Sequence, residues 1–180
     1  MGSDIQVENA QAITEMMDAA KKNYEKAKTF YEKRREMLRQ NIETLGRFID
    51  GAKQQLDRIL AARKNCEAAI ARTQAEIENA RREEEREKKE GGSSSGGKVA
   101  ALEQKRSKLE AQLATIKQHE EKYRSRIERL EKLRAEQIAL LKDWEDRGRD
   151  ALERCRQETD HAVSIGSQQL AALGRRPGGR

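Results

Sequence analysis

Apolar residues recur along most of this chain at alternating steps of three and four, and that spacing predicts two long helices. In the later half the series runs Val99, Leu102, Arg106, Leu109, Leu113, Ile116, Glu120, Tyr123, Ile127, Leu130, Arg134, Gln137 or Ile138, Leu141, Trp144, Gly148, Ala151 and Cys155. In the earlier half it runs Leu38, Ile42, Leu45, Ile49, Ala52, Leu56, Ile59, Arg63, Cys66, Ile70, Thr73 and Ile77. A mean step near 3.5 marks a left-handed coiled coil, in which each helix buries one narrow seam against its partner.

The boundaries follow from local chemistry. Ser3 and Gln6 have the spacing of a capping box, so the first helix is expected over residues 4–90. Gly46 and Gly51 weaken that helix by roughly 1 kcal/mol each without ending it. Gly91 is the expected stop, and residues 91–97 read GGSSSGG, a flexible-coil composition with the look of an engineered linker. A second helix is expected over 98–174, with Gly174 as a C-cap and Pro177 blocking continuation. Residues 1–3 read as a cloning remnant and 175–180 as a disordered tail.

The linker lets the chain reverse, so the fold class is all-α, a long antiparallel two-helix hairpin. The predicted register pairs residues whose numbers sum to 186, which centres the turn on the linker. Ile77 then meets Leu109, Ile70 meets Ile116, Ile59 meets Ile127, Leu56 meets Leu130 and Leu45 meets Leu141. Arg63 faces Tyr123, Arg134 faces Ala52, Trp144 lies over Ile42 and Leu38 fills the space at Gly148, while Glu120 opposite Cys66 has no rationale. An irregularity supports this choice. Leu38, Arg35, Tyr31, Ala27 and Tyr24 step three, four, four, three, as do Gly148, Ala151, Cys155, Thr159 and Ala162. An extra step of four unwinds the supercoil locally, so both helices must carry it at one height. Met16 then meets Leu170. Arms of about 80 residues would reach on the order of 120 Å.

Several large apolar residues stand off the seam: Phe30, Met37, Phe48, Leu60, Leu133 and Leu140. They either broaden the seam or form a dimer face, on which two hairpins would pack as a four-helix bundle with two-fold symmetry. Arg63, Arg106, Glu120 and Arg134 are polar seam positions, which set register and partner or reach past the seam edge to water.

Composition agrees with helices rather than a globular core. Of the 180 residues, 39% are charged, 35% hydrophobic and 3% aromatic, too few large apolar side chains to close a compact interior. The net charge of +6 comes from 38 basic and 32 acidic residues mixed throughout, which argues against a nucleic-acid footprint. Two cysteines and no membrane-length apolar run point to a soluble, intracellular protein.

Candidate chemistry is sparse. Glu158 and His161 have the Glu-x-x-His spacing of di-iron bundles, but no second such pair exists. Cys66 and Cys155 fall far apart along the expected hairpin. There is no phosphate-cradling glycine loop, CxxC or HExxH. The expectation is no enzyme and no cofactor or metal. The first functional reading is a coiled-coil spacer, scaffold or self-association module, cut from a larger protein. The second is an arm of a larger machine, similar in architecture alone to those of chromosome-maintenance and DNA-repair ATPases or motor stalks. The third is a curved membrane-binding bundle, which needs a segregated basic face.

Overall fold

The computed structural model describes residues 2–92 and 96–174. Two helices make up the fold, α1 over Gly2–Lys89 and α2 over Gly97–Gly174, and they pack against each other as an antiparallel hairpin. The helix start lies at Gly2, which places Ser3 inside the first turn rather than at the cap. The expected cloning remnant, linker and tail fall partly outside the described residues, the tail 175–180 wholly so.

Why α1 ends where it does is visible in its last carbonyls. Gly91 takes a φ of 80°, a left-handed conformation that a residue without Cβ adopts freely. The Gly91 amide donates to the Lys88 carbonyl at 3.4 Å and the Gly92 amide to that of Glu87 at 3.0 Å. This is the Schellman pattern, which satisfies two orphaned acceptors at a helix end.

The hairpin divides into two units, Met1–Thr44 with Arg134–Arg180, and Leu45–Leu133. In the first, Tyr31 and Leu38 are buried. Tyr31 is the wedge: a Cβ added at Gly148 would lie 2.1 Å from its ring. Trp144 stacks on the Tyr31 ring, 6.0 Å between centroids, and its indole N–H donates to the Tyr31 carbonyl at 3.2 Å. Towards the chain ends, the Thr159 hydroxyl donates to the carbonyls of Cys155 and Ala20, and Met17 and Ile13 cover Gly166. In the second unit the buried residues are Ile49, Ala52, Cys66, Thr73, Ile77, Ala80, Glu120 and Ile127.

The register differs from the sequence expectation by one heptad. Tyr31 sits at Gly148, so the paired numbers sum to 179, not 186. The same pairing places Ala20 against Thr159 and Ile13 against Gly166. Within the Leu45–Leu133 unit it fits the contacts of Arg63 with Glu120, Arg106 with Gln74 and Cys66 with Leu109. The expected pairs Ile77 with Leu109 and Leu56 with Leu130 are therefore each displaced by seven residues. The cause is the placement of the irregularity on α2. Around Gly148 the α2 seam residues withdrawn from solvent are Leu141, Trp144, Gly148, Leu152 and Cys155, stepping three, four, four, three, whereas Ala151 is exposed. On α1 the centre is Tyr31, as expected. The two irregularities do share one height, but on α2 the centre is Gly148 rather than Cys155, because Leu152 and not Ala151 turns to the seam; Tyr31 rather than Leu38 therefore fills the space at Gly148.

Candidate functional site

The seam residues lie on the packed side of each helix. Leu38, Ile49, Ile77 and Ile127 are buried; Ile42, Leu45, Leu56, Ile59, Ile70, Leu109, Ile116, Leu130, Leu141 and Trp144 are half-buried. Near the termini Met17 rather than Met16 faces the seam, and Met16 is 73% exposed.

The polar seam positions separate into three kinds. Glu120 is buried and accepts from Arg63 Nη1 at 2.7 Å and from Arg124 Nε at 3.1 Å, while Arg63 Nε donates to Glu67 at 3.0 Å. The sequence reading of Arg63 against Tyr123 and Glu120 against Cys66 is corrected by the seven-residue change of register, which brings Arg63 and Glu120 to each other. Arg106 is half-buried, and its Nη1 donates to Gln74 Oε1 at 2.6 Å, but its buried Nε has no hydrogen-bond partner. Arg134 is exposed and does not enter the seam, so its expected placement against Ala52 is not realised.

The Arg63 hydrogen bond holds the Glu120 carboxyl below its ordinary value near 4.5, against the opposing effect of burial and with further help from Arg124. Glu153 is lowered in the same way by the Arg156 hydrogen bond. A carboxyl depressed by folding contributes stability that is present above its unfolded pKa and lost as pH falls through its folded one. The hairpin's resistance to chemical denaturation is therefore expected to fall below about pH 4.5, and Glu120→Gln should flatten part of that slope. An unchanged slope in that variant would show that the ion pair contributes nothing.

Among the expected dimer-face residues, Phe30, Met37, Phe48, Leu133 and Leu140 are exposed, whereas Leu60 is half-buried beside the seam. Exposure of large apolar side chains is greatest in the Met1–Thr44 and Arg134–Arg180 unit, which also exposes Ile5, Met16 and Ile165, and, away from these, Val7 and Ile138. Helix geometry puts the others in that unit on one side. Ile5, Met16, Phe30 and Met37 are separated by 11, 14 and 7 residues, close to whole turns. Leu140, Ala151 and Ile165 are separated by 11 and 14. Contacts join the two rows. Phe30 packs edge-on against Trp144 at 5.9 Å and shares a cleft of about 200 Å³ with Gly148 and Ala151. Met16 and Ile165 share a second cleft, of about 370 Å³, with Glu158 and His161 on its wall. Arg34 places its guanidinium 5.2 Å from the Trp144 ring centre.

The sequence reading missed Met17, Leu152, Ile5 and Ile165. The first two could have been found by testing the neighbouring residue at each ambiguous step. Ile5 and Ile165 would have followed from extending the off-seam face by whole turns.

Among the described residues, no group of three or more His, Cys, Asp or Glu side chains could hold a metal ion, and no helix is long and apolar enough to cross a membrane. Cys66 is buried, its thiol donating to the Leu109 carbonyl at 3.3 Å, and Cys155 is half-buried. Compared with protein-family models, curated proteins and solved structures, the chain matches none.

Proposed function

We propose that the chain is a structural coiled-coil module, a spacer or scaffold that works by self-association. The observation that carries this reading is the concentration of exposed Met16, Phe30, Met37, Leu140 and Ile165 on one side of the Met1–Thr44 and Arg134–Arg180 unit, against Val7 and Ile138 off that side. A lone helix pair has only one seam in which to bury apolar side chains, and large exposed patches mark interaction surfaces. Packing two such faces makes a four-helix bundle, the simplest closed solution for amphipathic hairpins.

The test is the mass in solution. Light scattering at tens of micromolar should give twice the 20.6 kDa of the chain. A monomer at that concentration would overturn self-association. A monomer that also binds duplex DNA tightly, with steep salt dependence, would favour the machine-arm reading instead. Strong pelleting of a monomer with anionic vesicles would favour the membrane reading.

A further inference from the structure

Resting on the self-association reading, we infer where and how the two copies meet: they exchange Phe30 side chains across a two-fold axis, each entering the cleft over Gly148 and Ala151 of the other copy. Three observations on one face of the Met1–Thr44 and Arg134–Arg180 unit lead there.

The first is area. Ile5, Met16, Phe30, Met37, Leu140 and Ile165 are between 41% and 73% exposed. Together they present on the order of 600 Å² of apolar side chain, so two copies would bury roughly 1,200 Å² from these residues alone, the lower bound for a stable interface. The Leu45–Leu133 unit exposes only Phe48 and Leu133 among its described large apolar residues, which falls well short of that.

The second is shape. Phe30 projects from the face at 63% exposure, directly beside the cleft it helps to line. The cleft measures about 200 Å³, and Ala27 and Ala151, each with only a methyl, stand in its lining beside Phe30. A void on the order of 150 Å³ accommodates benzene, so this one admits a phenyl ring. In a closed pair, a knob next to its own hole is matched on both copies under a two-fold operation, in which each copy both gives and receives.

The third is composition. Trp144, Tyr31 and Phe30 form a rigid aromatic cluster, and Arg34 lies over the Trp144 ring at its rim. Aromatic side chains and arginine dominate the energetics of protein interfaces. The occupant is thus a second copy of this chain.

Sedimentation equilibrium on three variants tests the assignment, with helicity followed by circular dichroism. Phe30→Ala removes the knob and Ala151→Trp fills the hole; both sites are exposed, so the hairpin should keep its helicity. Each should weaken dimerisation at least tenfold, whereas Phe48→Ala should leave it within about twofold. In a background of Cys66→Ala and Cys155→Ala, chains carrying Phe30→Cys, mixed with chains carrying Ala151→Cys, should oxidise to a disulfide-linked heterodimer. A dimer that survives both Phe30→Ala and Ala151→Trp, or that fails to cross-link, would overturn this interface while leaving self-association standing. A wild-type monomer would remove both.

Discussion

Gly148→Ala is expected to destabilise the hairpin by about 1–2 kcal/mol, although alanine is the better helix former by roughly 1 kcal/mol. The added methyl would lie 2.1 Å from Cε2 and 2.3 Å from Cδ2 of Tyr31, inside any permissible contact. That ring cannot swing aside cheaply. It is buried, stacked on Trp144 at an interplanar angle of 17°, and its hydroxyl reaches the Glu145 carbonyl at 3.5 Å. Relief requires either separating the helices or expelling the ring. Gly166→Ala is the matched control on the same helix. There the new methyl would meet Met17 Sδ at 2.5 Å and Cγ at 2.6 Å, with Ile13 at 3.4 Å, but methionine is unbranched and half-buried and can turn away as a whole. Helix propensity should then dominate, leaving that variant neutral or more stable by up to about 1 kcal/mol. Denaturant midpoints compare the two directly; equal losses would mean that Tyr31 is not the wedge.

Ile77→Ala should cost more, about 2–4 kcal/mol, because Ile77 is fully buried and its neighbours are held on two rigid helices that cannot collapse into the space. Phe48→Ala deletes a larger side chain but one that is 56% exposed, and should cost under about 0.5 kcal/mol in the monomer. The contrast isolates burial from size. If urea unfolding ranked Phe48 above Ile77, Phe48 would have to belong to an interface and the seam would be wrongly drawn.

How much of this was legible beforehand depends on what each residue type signals. The reversal was legible because GGSSSGG interrupts two matched periodic runs, and Gly91 ends α1 as expected. The seam was legible wherever branched apolar residues recur without competition, as from Leu38 to Ile77. Register was not. Both alignments, a heptad apart, set apolar residues against apolar residues, so the ladder of isoleucine and leucine does not discriminate between them. What discriminates is which side chain fills the space at Gly148, Tyr31 rather than Leu38, and a charge pair, Arg63 with Glu120, whose members each look like intruders alone. Ambiguous doublets compounded this: Met16 and Met17, and Ala151 and Leu152, each offer two seam assignments, and only the partner helix decides. The off-seam face was legible in Phe30, Met37, Phe48, Leu133 and Leu140, all exposed, because large apolar residues among charges stand out. Leu60 reads the same way in sequence yet tucks against the seam edge, since small rotations separate flank from face.

Zero-length carbodiimide cross-linking tests the register most directly and needs no substitution. Lys53 Nζ lies 3.2 Å from Glu131 and Lys98 Nζ 3.7 Å from Glu83, so mass spectrometry should find both amide links. Mixing isotopically light and heavy chains identifies the links that form within one molecule. Sliding the helices by seven residues would move these groups roughly 10 Å apart and bring Lys105 to Glu83 instead. Intramolecular Lys53–Glu131 and Lys98–Glu83 links are the predicted result; a Lys105–Glu83 link with no Lys53–Glu131 link would contradict it.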